Sequence, residues 1–200
     1  PSREVAIRLA LVHEFRTQLD DYAESRQKDR GGQRKHYELS AFVPTAPAKI
    51  DAGFEVRKIM RDFDFVNLQG YDFHVSGEKT TAQQSALYAR GDFSVDQTVR
   101  DWLRRGAPAR KLVVGMPFYG QGWTGVTGGG DGMGRPAAAP APATWAAGYE
   151  DYKALKKLAD SAAKISQGQL DRPLEGTGGR DEIADLGRAL ETKGAALRQT

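Results

Sequence analysis

Arg61-Asp62-Phe63-Asp64-Phe65-Val66-Asn67-Leu68-Gln69-Gly70-Tyr71-Asp72-Phe73-His74 is the stretch whose reading decides the fold. Phe63, Phe65, Val66 and Leu68 form a short apolar run with charge before it and Gly70 after it, which predicts a strand buried on both faces. Tyr71 and Asp72 stand where that strand ends. Outward from there, the same design returns at Lys111-Leu112-Val113-Val114-Gly115-Met116-Pro117-Phe118-Tyr119-Gly120-Gln121-Gly122-Trp123, which again closes in aromatic and polar groups. An earlier run, Tyr37-Glu38-Leu39-Ser40-Ala41-Phe42-Val43-Pro44, makes a third. In a barrel of parallel strands the side chains at the C-terminal strand ends line the active site, so a Tyr-Asp pair there is a functional candidate.

Helical patterns separate these runs. Val5, Leu9, Val12, Phe15, Leu19 and Tyr22 recur every three or four residues among Arg, Glu, Gln and Asp, which predicts an amphipathic helix ending near Glu24. Pro44 and Pro47 stop the first strand, and a short helix before Met60 is expected to turn the chain back toward Phe63. Ser76 to Thr81 is polar and reads as a loop over the mouth of a barrel. Asp96 to Arg105, with Val95, Val99, Trp102 and Leu103 on one side, reads as a helix that Gly106-Ala107-Pro108 ends. Helix and strand in alternation point to parallel β/α units.

Composition narrows the functional classes. A net charge of +3 is too small to imply a nucleic-acid partner, and the basic stretch from Arg26 to Lys35 has no interleaved aromatics, so it reads as a solvated loop. With no cysteine there is no disulfide framework and no thiolate site, and the redox compartment stays open. His74 has no second ligand at metal spacing and reads as packed or hydrogen-bonded; His13 and His36 invite no assignment, so no metal and no cofactor is expected. No eighteen-residue apolar run and no signal-peptide pattern occurs, so no membrane segment is expected. The start at Pro1 is read as a processed or excised segment. Two hundred residues suffice for one core but fall short of a complete (β/α) barrel, which takes about 250.

Together the three strand runs resemble consecutive strands of family 18 glycoside hydrolases, the chitinases, and bacterial members above all. The segments that carry the resemblance are Gln69-Gly70-Tyr71-Asp72-Phe73-His74, Pro117-Phe118-Tyr119-Gly120-Gln121-Gly122-Trp123, and Ala48-Lys49-Ile50-Asp51-Ala52-Gly53-Phe54. Several ordered motifs agree, where one alone is weak. The resemblance implies an α/β fold: a partial TIM-type barrel, its fifth to seventh strands with outer helices, over residues 1–127, then a helical C-terminal segment. It also implies chitin or a chitooligosaccharide as partner, an extracellular location, and the substrate-assisted retaining mechanism, in which the substrate's own N-acetyl oxygen attacks the anomeric carbon. In that chemistry Tyr71 would hydrogen-bond the acetamide carbonyl and Asp72 would contact nearby hydroxyls, both as supporting catalytic residues. Gln69, Phe118, Tyr119, Gln121 and Trp123 would bind substrate. For Trp123 a sugar-stacking role and a capped barrel rim both stay open.

Two positions depart from the family pattern, and the acid is absent. Gln69 stands where relatives carry Met, which puts a polar group in an apolar place, and Gln121 stands for a substrate-binding Arg. The family's Asp-x-x-Asp-x-Asp-x-Glu motif, whose Glu is the general acid, does not occur in residues 1–200; the resemblance places it on the strand before Pro1. The expectation is therefore a chitinase segment inactive by itself. The alternatives are a carbohydrate-binding remnant without catalysis and a fortuitous fusion.

Beyond Trp123 the chain changes character. Thr127-Gly128-Gly129-Gly130-Asp131-Gly132-Met133-Gly134 lacks the Lys-Ser or Lys-Thr ending of a phosphate loop. Pro136 to Thr144 is an Ala-Pro tract expected to be extended and mobile. Trp145 to Lys153 resembles the start of an inserted domain found in part of the chitinase family, so residues 128–154 are read as a loop and insertion start. Residues 155–200 predict a helix of Leu155, Leu158, Ala162 and Ile165, a Gly168-Gln169-Leu170 connector, and a second helix opening on Asp181-Glu182-Ile183. That order resembles a HAMP signalling linker, which implies a homodimer through a four-helix coiled coil. The plainer reading, two ordinary amphipathic helices with acids at an N-terminus, stays open.

Overall fold

The computed structural model describes residues 2–29 and 35–166. The described residues fall into two compact units, one made of residues up to 73 with 85–116, the other of residues 74–84 with those from 117 on.

In the first unit, three strands, β1 (Ser40–Val43), β2 (Phe65–Gln69) and β3 (Leu112–Gly115), form a parallel sheet in sequence order. Helices intervene, as parallel pairing demands: α1 (Arg3–Asp29) precedes β1, α2 (Pro47–Gly53) and α3 (Val56–Ile59) join β1 to β2, and α4 (Val95–Arg104) lies between β2 and β3. One core holds the unit: Val43, Val66 and Leu68 from the sheet, Ile50, Val56, Ile59, Met60 and Trp102 from the helices and their ends, Val12 from α1, and Phe63. Trp102 is fully buried, meets Phe54 edge-on at 5.6 Å, and donates its indole N–H to Pro44 O at 3.0 Å. Ser94 caps α4 by accepting from Gln97 N, and Gly106, at φ 95°, takes the left-handed turn that ends it.

The strand of Phe65 to Leu68 is not buried on both faces. Val66 and Leu68 are buried whereas Phe65, Asn67 and Gln69 are only half-covered, and beside them Phe42 on β1 is 58% exposed. In register, Ala41, Val66 and Leu112 share the helix-covered face, while Phe42, Asn67 and Val113 share the other. A run of apolar residues predicts two covered faces only if a second layer covers each, and the described residues supply one. The α1 stripe also differs from expectation. Val5 and Val12 are buried, but Phe15 and Tyr22 are half exposed, and the helix continues past Glu24 to Asp29.

The second unit pairs β4 (Tyr119–Gln121) with β7 (Tyr149–Asp151), and β5 (Trp123–Thr124) with β6 (Ala139–Pro140), both antiparallel. The Ala-Pro tract is extended as expected, yet it is pinned rather than free: Ala137, Ala138 and Ala141 donate to Lys79, Thr124 and Gly122 carbonyls. The helix expected from Leu155 is α5 (Tyr152–Ser166). The Gly168 connector, the Asp181 helix and the coiled-coil dimer lie outside the described residues.

Candidate functional site

Tyr71 and Asp72 follow directly on β2, at the C-terminal end of the parallel sheet. Tyr71 is half-buried, its ring 6.5 Å from that of Phe42. Gly115, the register partner of Gln69, is what makes room for it: a Cβ there would lie 3.1 Å from Tyr71 Cε1. Gly70 is as constrained, since its Cβ would meet Gly115 O at 2.3 Å. Asp72 has φ 54°, the sole described non-glycine residue in the left-handed region. Asp tolerates that region better than most side chains, yet it is uncommon there, and such strain concentrates at functional positions. Sequence offers no sign of a further contact, Ser85 Oγ donating to Gly70 O, because the two are joined only by the fold.

Phe118, Tyr119, Gln121 and Trp123 belong to the second unit. Phe118 is exposed and meets Tyr152 edge-on at 6.0 Å. Tyr119 is half-buried with its ring 5.8 Å from Tyr149, and its carbonyl accepts from Gln84 Nε2. Gln121 Oε1 accepts from Ser76 N at 3.1 Å, and Trp123 Nε1 donates to Glu78 O at 3.1 Å. Both side chains therefore hold the 74–84 loop, a bracing role that a sequence motif cannot display. His74 is hydrogen-bonded, as expected, to Glu78 at 2.9 Å.

The opposite, N-terminal ends of the strands carry a polar cleft of about 420 Å³ lined by Arg16, Asp20, Lys35, His36, Arg61, Asp62 and Asp64. His36 pairs with Asp64 at 2.6 Å and His13 with Asp62 at 3.2 Å, partners that sequence separation hides. Burial pushes the Asp64 carboxyl up, but hydrogen bonds from Leu39 N and His36 and the nearby Arg16 outweigh it and hold it below the usual carboxylate range. Asp64 thereby ties the start of β1 to the start of β2. Among the described residues no cluster of His, Asp and Glu has the makings of a metal site, and no helix is long and apolar enough to cross a membrane.

The sequence pattern of glycosyl hydrolases family 18 matches residues 7–184, which takes in the described part of the C-terminal segment and most of the HAMP-like stretch. Mouse chitotriosidase-1 is 40% identical over 138 residues, 66% of this chain and 28% of that protein. Endochitinase 1 of Metarhizium robertsii is 31% identical over 160 residues, 77% of this chain and 35% of that protein. Among solved structures, the catalytic domain of a psychrophilic chitinase B from Arthrobacter TAD20 superposes with TM-score 0.68 at 30% identity, covering 82% of this chain and 45% of that one. The chain thus spans less than half the length of these relatives, which come from an animal, a fungus and a bacterium rather than from bacteria alone.

Proposed function

The chain belongs to glycosyl hydrolases family 18, and from that premise we propose that it supplies the substrate-holding part of a site that hydrolyses β-1,4-linked N-acetylglucosamine polymers. The observation that carries this reading is the pair Tyr71 and Asp72 at the end of a parallel strand, with Asp72 in a left-handed backbone. In the substrate-assisted reaction the protein must hold the acetamide oxygen against the anomeric carbon and protonate the leaving oxygen. A phenol suits the holding role, since it donates a hydrogen bond without competing as a nucleophile. Asp72 suits a ring hydroxyl, whose hydrogen bond it accepts. Gln69, Phe118, Tyr119, Gln121 and Trp123 complete the set proposed to touch sugar. Where relatives carry a charged donor, Gln121 offers a neutral amide, so its grip is weaker.

No Asp-x-x-Asp-x-Asp-x-Glu sequence occurs in residues 1–200, so these residues are proposed to bind substrate and to need a carboxylic acid from another segment for turnover. The three parallel strands are then part of a (β/α) barrel whose remaining strands cover the exposed face of β1 to β3. An extracellular location and a dimer through residues 155–200 belong to the same proposal.

The test is release of reducing sugar from chitohexaose by purified residues 1–200, alongside a binding isotherm. Saturable binding without release is expected, with Tyr71→Phe binding about tenfold more weakly for the loss of one well-placed hydrogen bond. Release of reducing sugar would overturn the missing-acid argument and move the acid role to Asp72, since Asp64 lies at the opposite ends of the strands.

A further inference from the structure

The cleft at the N-terminal strand ends is separated from Tyr71 and Asp72 by the length of β2, with Asp64 just before that strand and Tyr71 two residues past its end. Its formal charge is balanced: Arg16, Lys35 and Arg61 line it together with Asp20, Asp62 and Asp64. What selects a ligand is therefore which of these groups already have partners.

The acids have them. Asp64 accepts from Leu39 N at 2.7 Å and from Arg16 Nη1 at 3.3 Å, and it pairs with His36 at 2.6 Å. Asp20 accepts from Arg16 Nη2 at 2.8 Å, and Asp62 meets His13 at 3.2 Å. The bases are less well served. The Arg16 side chain is only 12% exposed; its Nη1 also donates to Tyr37 O at 3.0 Å, yet its buried Nε–H has no acceptor among the described residues. Arg61 has no side-chain hydrogen bond or ion pair among them, and the Lys35 ammonium meets just the Tyr37 ring, 5.2 Å from its centre. Satisfied carboxylates beside unspent donors make a site short of an anion, because a buried donor left without an acceptor is costly.

The shape of the anion follows from the donors. Three of them on three side chains suit a tetrahedral oxyanion better than a carboxylate with two oxygens: a guanidinium gives phosphate a two-pronged fork and an ammonium gives it a point charge. The volume of about 420 Å³ is that of a small-molecule pocket and exceeds what a bare phosphate needs. Asp20 and Asp62 each keep lone pairs that can accept from hydroxyl groups, so the body of a matching ligand is polyhydroxylated rather than apolar.

We infer that this cleft binds a small phosphate-bearing polyol, its phosphate held by Arg61, Lys35 and Arg16 Nε and its hydroxyls by Asp20 and Asp62. The inference stands apart from the chitin reading, since it uses none of the residues proposed to touch chitin.

The experiment is calorimetric titration of residues 1–200 with glucose 6-phosphate, inorganic phosphate, glucuronate and glucose. Glucose 6-phosphate should bind saturably, inorganic phosphate more weakly because it leaves Asp20 and Asp62 unused, and glucuronate and glucose about tenfold more weakly or worse. Arg61 and Lys35 are exposed, so Arg61→Ala and Lys35→Ala should melt with the unaltered chain and yet each weaken binding about tenfold, the loss of one charge-assisted contact. Arg61→Lys, which keeps the charge without the fork, should recover part of that loss. In nitrogen-15 spectra the Arg16 Nε–H signal, assigned by its loss in Arg16→Lys, should move on titration. Undiminished binding in both alanine variants, or an unmoved Arg16 signal, overturns the site, and so does failure of every phosphate compound to bind at millimolar concentration. Glucuronate bound as tightly as glucose 6-phosphate overturns the phosphate assignment, and inorganic phosphate bound as tightly overturns the polyol. Displacement of glucose 6-phosphate by chitohexaose overturns the separation from the strand-end pair.

Discussion

Gly70 and Gly115 show how single residues shape the strand end. A methyl at Gly70 would overlap a backbone oxygen that has no room to retreat between paired strands. Gly70→Ala should therefore cost about 1–3 kcal/mol in urea unfolding, the range for overpacking. Gly115→Ala is expected to be milder for stability, because it presses on a tyrosine ring rather than on backbone alone, and harsher for binding, because that ring is Tyr71. Titration of carboxylates works at the same scale. Asp64 and Asp101 are both held below the usual range, although burial pushes each up: for Asp101 the hydrogen bonds from Gln97, Arg104 and Arg105 outweigh it. A depressed folded pKa means stabilisation that is fully present above the unfolded value, near 3.9, and that is lost as pH falls through the folded value. Thermal melts should thus show no loss from these two groups between pH 7 and 5 and a steep loss below about pH 4. Asp64→Asn should flatten the acid limb.

The elements are held both by caps at their ends and by side chains that reach the core. Ser94 is buried and its hydroxyl accepts from Gln97 N, so Ser94→Ala should cost about 1 kcal/mol by denaturant titration, as lost N-caps do. Trp102 matters more, since α4 meets the sheet through it: Trp102→Ala should cost about 3–5 kcal/mol and leave little folded protein at room temperature. The helices and strands of the first unit were legible from sequence where period and punctuation agree: Gly106 after Arg105 ends α4, and Pro44 and Pro47 stop β1. The α1 stripe was less legible. Val12 reaches the core while Phe15, which fits the same period, is half exposed, because periodicity reports an apolar side and not which part of it finds a neighbour.

At the scale of the whole molecule, the open sheet face sets the behaviour. Phe42 and Val113 project from the same side of the two strands that flank β2, on either side of half-covered Asn67, and stay exposed among the described residues. The isolated chain should bind a fluorescent apolar dye such as ANS in its folded state and melt over a broad range. A sharp transition with no dye binding would contradict this. Adding a polypeptide that carries the other strands of a family 18 barrel should suppress the dye signal.

The sequence by itself determined the α/β alternation, the strand-end place of Tyr71 and Asp72, and the family, because these rest on local order along the chain. Only the tertiary structure decided that Gln121 and Trp123 brace the 74–84 loop, that His13 and His36 meet Asp62 and Asp64, and that one sheet face is uncovered among the described residues. Each of those depends on contacts between residues tens of positions apart or on the absence of a covering layer, and neither leaves a period or a motif to read.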